Sequence, residues 1–264
     1  MKRWMLRALS LAAALVMAAP SAMAAKSAKA TPTPPPVEIS EEVQDELPEQ
    51  IRQMLDIAYA EWENLGGKKL NKVNKYTEWR GKGIGFGWCG GYITWCMMQA
   101  GIPMEELEAV KRAGERDVEG VVHVKEASVG KLLRGYQLMH RSTNIPQKGF
   151  LVVYGEISYN KTVHIGLVYD VEKLGEGRYR LTTLEGNMSG TVRMYVHDYD
   201  MTAPDPLKNI SSPPREEQTR ETSRMFTYDV PKGQNKKSYW INCFLMPWIP
   251  GDMLNPAPTV TPAP

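Results

Sequence analysis

The sequence predicts an α+β fold, with helices from its first half packed on an antiparallel β-sheet from its second. Apolar residues recur at helical spacing between Ile51 and Tyr136. Past Ile145 they fall instead into β-branched and aromatic runs of strand length, divided by turn residues. Helices therefore come first and strands after, with little alternation, as in α+β rather than α/β proteins. The part able to fold lies between proline-rich ends and spans roughly 200 residues, enough for one domain with a real core. No internal repeat is visible.

The chain opens with a secretory signal. Lys2, Arg3 and Arg7 form a positive region, Ala8 to Ala19 an apolar one too short to span a bilayer comfortably, and Ala22-Met23-Ala24 a small-residue cleavage site. Residues 1–24 are thus expected to be removed and the protein exported to the cell envelope or beyond. No second apolar run of transmembrane length follows, so no stable membrane insertion is expected. Removing those three basic residues leaves 29 of the 32 Lys and Arg against 30 Asp and Glu. A charge near −1 offers no basic excess for nucleic acid or for general adhesion to an anionic wall. Residues 25–47, with Thr31-Pro32-Thr33-Pro34-Pro35-Pro36, read as an extended linker, and residues 251–264 as a tail of the same character. The domain is expected over 48–250.

Within it, Pro48 suits the first helical position and Glu49 the positive end of the dipole. Ile51, Leu55, Ala58, Trp62 and Leu65 then repeat at helical spacing until Gly66-Gly67. Asn71 to Phe86 reads as loop, with Gly81, Gly83, Gly85 and Gly87 leading to Cys89. A phosphate-binding loop is excluded, because no Gly-Lys-Ser/Thr closes it and no clear strand precedes it. A helix from Cys89 places Ile93, Cys96, Met97 and Ala100 on the face of Cys89 and ends at Gly101 and Pro103. Gly90 and Gly91, poor helix formers, leave room for either a substrate backbone or a packed strand. Further helices are expected over Met104 to Arg112 and Val129 to Met139. Strands follow over 150–154, 164–171, 179–185 and 193–199, with a hairpin loop at Leu174-Gly175-Glu176-Gly177. Thr202 to Arg220 reads as a long surface loop, and 224–230 and 239–246 would close the sheet.

Cys89 is the first candidate for chemistry. Amide N–H groups and the dipole at a helix N-terminus stabilise a thiolate, lowering a cysteine from its usual pKa of ~8.5. Three cysteines, Cys89, Cys96 and Cys243, leave at least one thiol unpaired. Cys89 and Cys96 on one helix would stand about 10 Å apart, beyond disulfide reach. Cys96 with Cys243 stays geometrically open, although two buried reduced cysteines are the expectation. The spacings suit no zinc site, and the count is too low for a disulfide scaffold.

Four histidines compete for the role of base. His140 ends a helix beside Arg141, and His197, next to Asp198, is expected at the surface. His164, anchored by Ile165-Gly166-Leu167-Val168, is preferred to its rival His123 in Val121-Val122-His123-Val124. The strand period of two turns Glu185 and Asn187 to one sheet face. If His164 faces them, a carboxylate on one ring nitrogen fixes the tautomer and leaves the other for a cysteine proton. The alternative makes Asn187 a turn residue and Glu185 a solvated strand end. Thiol, imidazole and carboxylate together are the parts of a cysteine hydrolase.

Trp88-Cys89-Gly90-Gly91-Tyr92-Ile93-Thr94-Trp95-Cys96, followed by Gln99-Ala100-Gly101-Ile102-Pro103, resembles the cysteine motif of the CHAP domain (cysteine, histidine-dependent amidohydrolase/peptidase). Asn74 to Gly81 is similar to the lead-in of many bacterial members. Pro146-Gln147-Lys148-Gly149 with His164 to Val168 resembles the histidine motif, and Thr182 to Asn187 the third block. Order and rough spacing agree from about Ile51 to Met246. The resemblance implies a papain-like α+β fold with Cys89 as nucleophile, His164 as base, Glu185 orienting the histidine and Asn187 assisting. It further implies an enzyme that cleaves amide bonds in peptidoglycan or its stem peptides, as amidase or endopeptidase; a monomer is expected. Phe150 replaces the acidic residue common after the proline-glycine turn. The calcium-loop pattern of some members is missing, so neither metal nor cofactor is assigned. No SH3-like, LysM or choline-binding repeat accompanies the domain. A non-catalytic wall- or partner-binding module of the same fold is the competing class.

Overall fold

A computed structural model describes residues 39–156, 161–217 and 239–250. The signal segment, most of the linker, the 224–230 strand and the 251–264 tail lie outside the described residues. The described part is mixed α+β, with helices against a large antiparallel sheet. Helix α1 covers Glu49–Leu65 and turns Ile51, Met54, Leu55 and Ala58 inward. Pro48 is its N-cap rather than its first helical residue, and Gly66 closes it with φ 51°. A left-handed residue there suits glycine, which has no β-carbon to clash.

Asn71 to Phe86 is not all loop. A single-turn helix, α2 (Lys75–Glu78), forms there, closed by a reciprocal capping box between Asn74 and Thr77. Four residues are too few to produce a hydrophobic period, so only the cap could have betrayed it. Helix α3 (Cys89–Gln99) begins at the expected thiol. The expected helix from Met104 is shorter. Met104–Glu105 is a two-residue strand, β1, pairing in parallel with β2 (His123–Val124), and α4 runs over Leu107–Ala113. Helix α5 (Val129–Leu138) matches its apolar period.

The main sheet has the order β3-β9-β4-β5-β6-β7-β8 among the described residues. These strands are β3 (Ser142–Thr143), β4 (Leu151–Glu156), β5 (Lys161–Gly175), β6 (Arg178–Met188), β7 (Thr191–Asp200), β8 (Ile210–Ser211) and β9 (Tyr239–Leu245). Strands β4 to β7 form consecutive antiparallel hairpins, and β9 returns beside β4. Leu151, Val152, Val153 and Tyr154 are all fully buried, so this central strand is covered on both faces. The expected surface loop after Thr202 contributes β8 on the sheet edge and short 3-10 turns. Helix α3 lies on β5 and β6, with α1 beside it over β6 and β7. The Cys89 end of α3 is thereby brought over the hairpin carrying His164 and Glu185.

Residues 39–47, assigned from composition to the linker, pack on the domain. Ile39, Val43 and Leu47 meet the core, and the Gln44 amide donates to Gln147 Oε1 at 2.9 Å. No helix among the described residues is long and apolar enough to cross a membrane.

Candidate active site

Cys89 is the first residue of α3, and its N-cap, Trp88, makes no side-chain cap. The first amides of the helix therefore stay available, and those of Cys89 and Gly90 hydrogen-bond the thiol sulfur. Trp88 is held by stacking on Tyr76 at 5.1 Å between ring centroids. Gly90 and Gly91 resolve to packing rather than to substrate approach. Gly90 lies against the Ala127 carbonyl and Gly91 against the Tyr76 carbonyl, each too close for a β-carbon.

His164 sits on β5 opposite Tyr154 of β4, and the two rings stack at 5.8 Å. Its Nε2 is 2.8 Å from Glu185 Oε2. The hydrogen bond between His164 and the Cys89 thiol therefore falls to the other ring nitrogen, Nδ1. Thiol, imidazole and carboxylate stand in one line, with His164 only 12% exposed and Glu185 fully buried. Gly166 permits the last link, because a β-carbon there would lie 2.9 Å from Glu185 Cγ.

Burial opposes every charge in this line, and mutual pairing overrides it. Burial alone would raise the Cys89 thiol, but the hydrogen bond and charge of His164, with the two helix amides, hold it below its ordinary value. Burial would lower His164, yet its bonds to Cys89 and Glu185 raise it. Burial would raise Glu185, while the bond and charge of His164 keep it low. A thiolate–imidazolium pair beside an ionised carboxylate is the state these shifts favour.

Asn187 is placed differently from expectation. The ladder between β6 and β7 shifts register between Glu185 and Met188, and Asn187 has φ 61°. The period-two argument therefore ends at Glu185, because a bulge interrupts the alternation. Asn187 instead lies against the glycine-rich loop, where a β-carbon at Gly87 would lie 3.7 Å from its Nδ2. The rival His123 is a core residue. It is fully buried, with Nε2 2.9 Å from Thr94 Oγ1 and Nδ1 2.8 Å from the Tyr136 hydroxyl, and burial pushes it down to about 3. His140 pairs with Asp117 at 3.0 Å.

His197 is a correction: it is fully buried, not at the surface. Its Nε2 lies 3.3 Å from the Tyr154 hydroxyl, which in turn donates to Glu185 Oε1 at 2.8 Å. Thr183 Oγ1 donates to the same carboxylate oxygen at 2.8 Å. Tyr154, Thr183 and His197 are site residues that sequence reasoning missed. Thr183 shares a face with Glu185 by strand period and could have been found. The other two depend on sheet register.

Cys96 and Cys243 are buried free thiols, pushed up by burial, Cys243 to about 12. No group of three or more His, Cys, Asp or Glu among the described residues is placed to hold a metal ion. Fold and site together define an α+β protein carrying a buried Cys–His–Glu line at a helix N-terminus. Comparison with family models, with curated proteins and with solved structures finds no match to the chain.

Proposed function

We propose that this chain is a secreted cysteine amidohydrolase or peptidase with a papain-like, CHAP-type domain, cleaving amide bonds in peptidoglycan. One observation carries the reading: His164 bridges the Cys89 thiol and the buried Glu185 carboxylate, with its Nε2 2.8 Å from the carboxylate. That arrangement supplies an activated nucleophile and a proton carrier in the order acyl transfer needs. The order of the sequence blocks around Cys89, His164 and Glu185 supports the substrate class, and the amino-terminal signal supports export.

The thiolate of Cys89 attacks the amide carbonyl carbon, forming a C–S bond and a tetrahedral oxyanion. Backbone N–H groups at the start of α3, that of Cys89 among them, hold the oxyanion. His164 gives its Nδ1 proton to the leaving nitrogen as the C–N bond breaks, which yields an acyl-enzyme and a free amine. The same nitrogen then takes a proton from water as its oxygen attacks the thioester, and the released carboxylate restores the thiolate. Glu185 holds Nε2 throughout and offsets the positive charge on the ring. Asn187, at the loop side, is assigned a polar contact near the reacting group.

Cys89→Ala is expected to abolish release of soluble fragments from purified peptidoglycan while the far-ultraviolet circular dichroism stays unchanged. Mass spectrometry of the fragments released by the parent then identifies the bond from its new termini. Undiminished release by the variant refutes the reading. A parent that binds the wall, releases nothing, and alkylates Cys89 as slowly as Cys96 is a binding module.

A further inference from the structure

We propose that Tyr154 is a positioning residue for this site: its hydroxyl, with that of Thr183, clamps one oxygen of Glu185 so that the carboxylate stays an acceptor and turns its other oxygen to His164. This inference rests on the Cys–His–Glu reading and goes beyond it, because neither Tyr154 nor Thr183 touches the thiol or the imidazole nitrogen that moves a proton.

The geometry divides the carboxylate cleanly. Oε1 receives Tyr154 and Thr183, each at 2.8 Å, and Oε2 receives His164 Nε2 at 2.8 Å. An ionised carboxylate only accepts, so the single Tyr154 proton must point at Oε1. The Tyr154 oxygen is then an acceptor, also approached by the Thr183 hydroxyl and by His197 Nε2 at 3.3 Å. His197 completes the polarity. Burial holds it neutral, down to about 4, so it has one ring proton. That proton belongs on Nε2, facing Tyr154, because Nδ1 finds no partner among the described residues. Placing it on Nδ1 would bury an unpaired donor and leave two acceptors facing each other. The donors thus run one way, from His197 through Tyr154 to Glu185.

A buried carboxylate with three donors resists protonation, and one that loses a donor accepts a proton more readily. Without the clamp the proton shared with His164 moves toward Glu185. The imidazolium that protonates the leaving amine is then depleted. The ionisable groups set against Glu185 are Tyr154 from β4, His164 from β5 and, from β7, His197 and Arg193, the residue opposite it in the ladder; Cys89 of α3 lies beyond His164. Among these, only Tyr154 can be stripped of its donor by deleting a single oxygen.

The test compares the whole parent chain with Tyr154→Phe, Thr183→Val and the double variant. The carboxyl carbon of Glu185 is followed by carbon-13 NMR against pH and assigned by its loss in Glu185→Gln. Each single variant is expected to raise the carboxyl midpoint by about one pH unit, and the acid limb of kcat/KM to move up with it. The plateau rate should fall about tenfold, as for a lost hydrogen bond to a charged group. The double variant shifts further. A merely structural loss would lower the melting temperature and leave the midpoint in place. An unmoved midpoint in Tyr154→Phe, or in Thr183→Val should the former not fold, overturns the proposal. The NMR readout needs no substrate, so a shifted midpoint in a chain that cleaves no peptidoglycan upholds the clamp and rejects the substrate. Cleavage with an unmoved midpoint rejects the clamp alone.

Discussion

Gly90→Ala separates the placement of the thiol from the stability of the fold. A β-carbon on Gly90 would stand 2.9 Å from the carbonyl carbon of Ala127 and closer still to its oxygen, with Leu132 Cδ1 at 3.1 Å. Unstrained carbon contacts begin near ~3.5 Å, so about 0.6 Å or more must be found. The Ala127 side cannot easily give. Its own amide bonds to Glu126 Oε1 at 2.8 Å, the neighbouring Glu126 carbonyl accepts from Thr94 at 2.6 Å, and Arg80 and Lys131 pair with the Glu126 carboxylate. The start of α3 must move instead, carrying the Cys89 sulfur away from His164. Overpacking costs about 1–3 kcal/mol, against which alanine regains about 1 kcal/mol of helix propensity over glycine. The net loss is about 1 kcal/mol, which in a domain of this size lowers Tm by roughly 2–4 °C. Catalysis should suffer far more, since a misplacement of about 1 Å costs on the order of a hundredfold. Iodoacetamide labelling of Cys89 near neutral pH, fragment release from peptidoglycan and a thermal melt measure the three quantities. Gly130→Ala is the control: it lies exposed in α5 with nothing near its β-carbon position, and it should raise Tm without touching the rate. A Gly90→Ala protein that labels and cleaves like the parent would refute the claim that this contact sets the thiol.

Two further outcomes follow from the buried groups. His123 and His197 are held neutral, down to about 3 and about 4, whereas in the unfolded chain they titrate near ~6.5. Between those values the unfolded state binds more protons, so stability falls as pH drops below about 6.5, by up to about 1.4 kcal/mol per pH unit for each histidine. Melting curves from pH 7 to 5 should show this, and His197→Gln should flatten them by its share; parallel curves would count against a neutral His197. All three cysteines are free and buried, so a thiol reagent under denaturing, non-reducing conditions should titrate three groups in the purified protein. One group instead of three would mean that Cys96 and Cys243 are bridged.

Much of the fold was legible because its elements are long enough to display a period. Helices α1 and α5 bury residues at helical spacing, whereas α3 is buried almost all round. Strands β4 to β7 are β-branched and aromatic runs of strand length punctuated by turn residues. Short elements were lost for the same reason. Helix α2 has four residues and β1, β2 and β8 two apiece, so neither period nor run length distinguishes them from loop. His197 shares the inward face of β7 with buried Tyr195 and Tyr199, while Val196, Asp198 and Asp200 lie half-buried on the other face. Its neighbour Asp198 suggests a wet position, but the strand period puts the two on opposite faces, and Tyr154 satisfies the buried ring.

The line from Cys89 to Glu185 could be anticipated piece by piece, since a helix start fixes the thiol and a strand fixes each partner's face. What joins the pieces is register. Tyr154 stands opposite His164, and Leu184 opposite Leu167, only because β4, β5 and β6 pair as they do. A slip of one residue would turn His164 away from the carboxylate and present Val163 or Ile165 in its stead. The bulge beyond Glu185 has the opposite consequence, for it ends the alternation one residue past the carboxylate and sends Asn187 to the loop side. Sequence spacing can therefore assign residues to faces within a strand, but not across strands. Of the residues it missed, Tyr154 and His197 are the ones whose partners lie on another strand. A site assembled by polar residues from four adjacent strands and a helix start is as dependent on correct pairing as the core is. Variants that loosen the pairing of β4 and β5 should therefore lose thiol reactivity before they lose secondary structure.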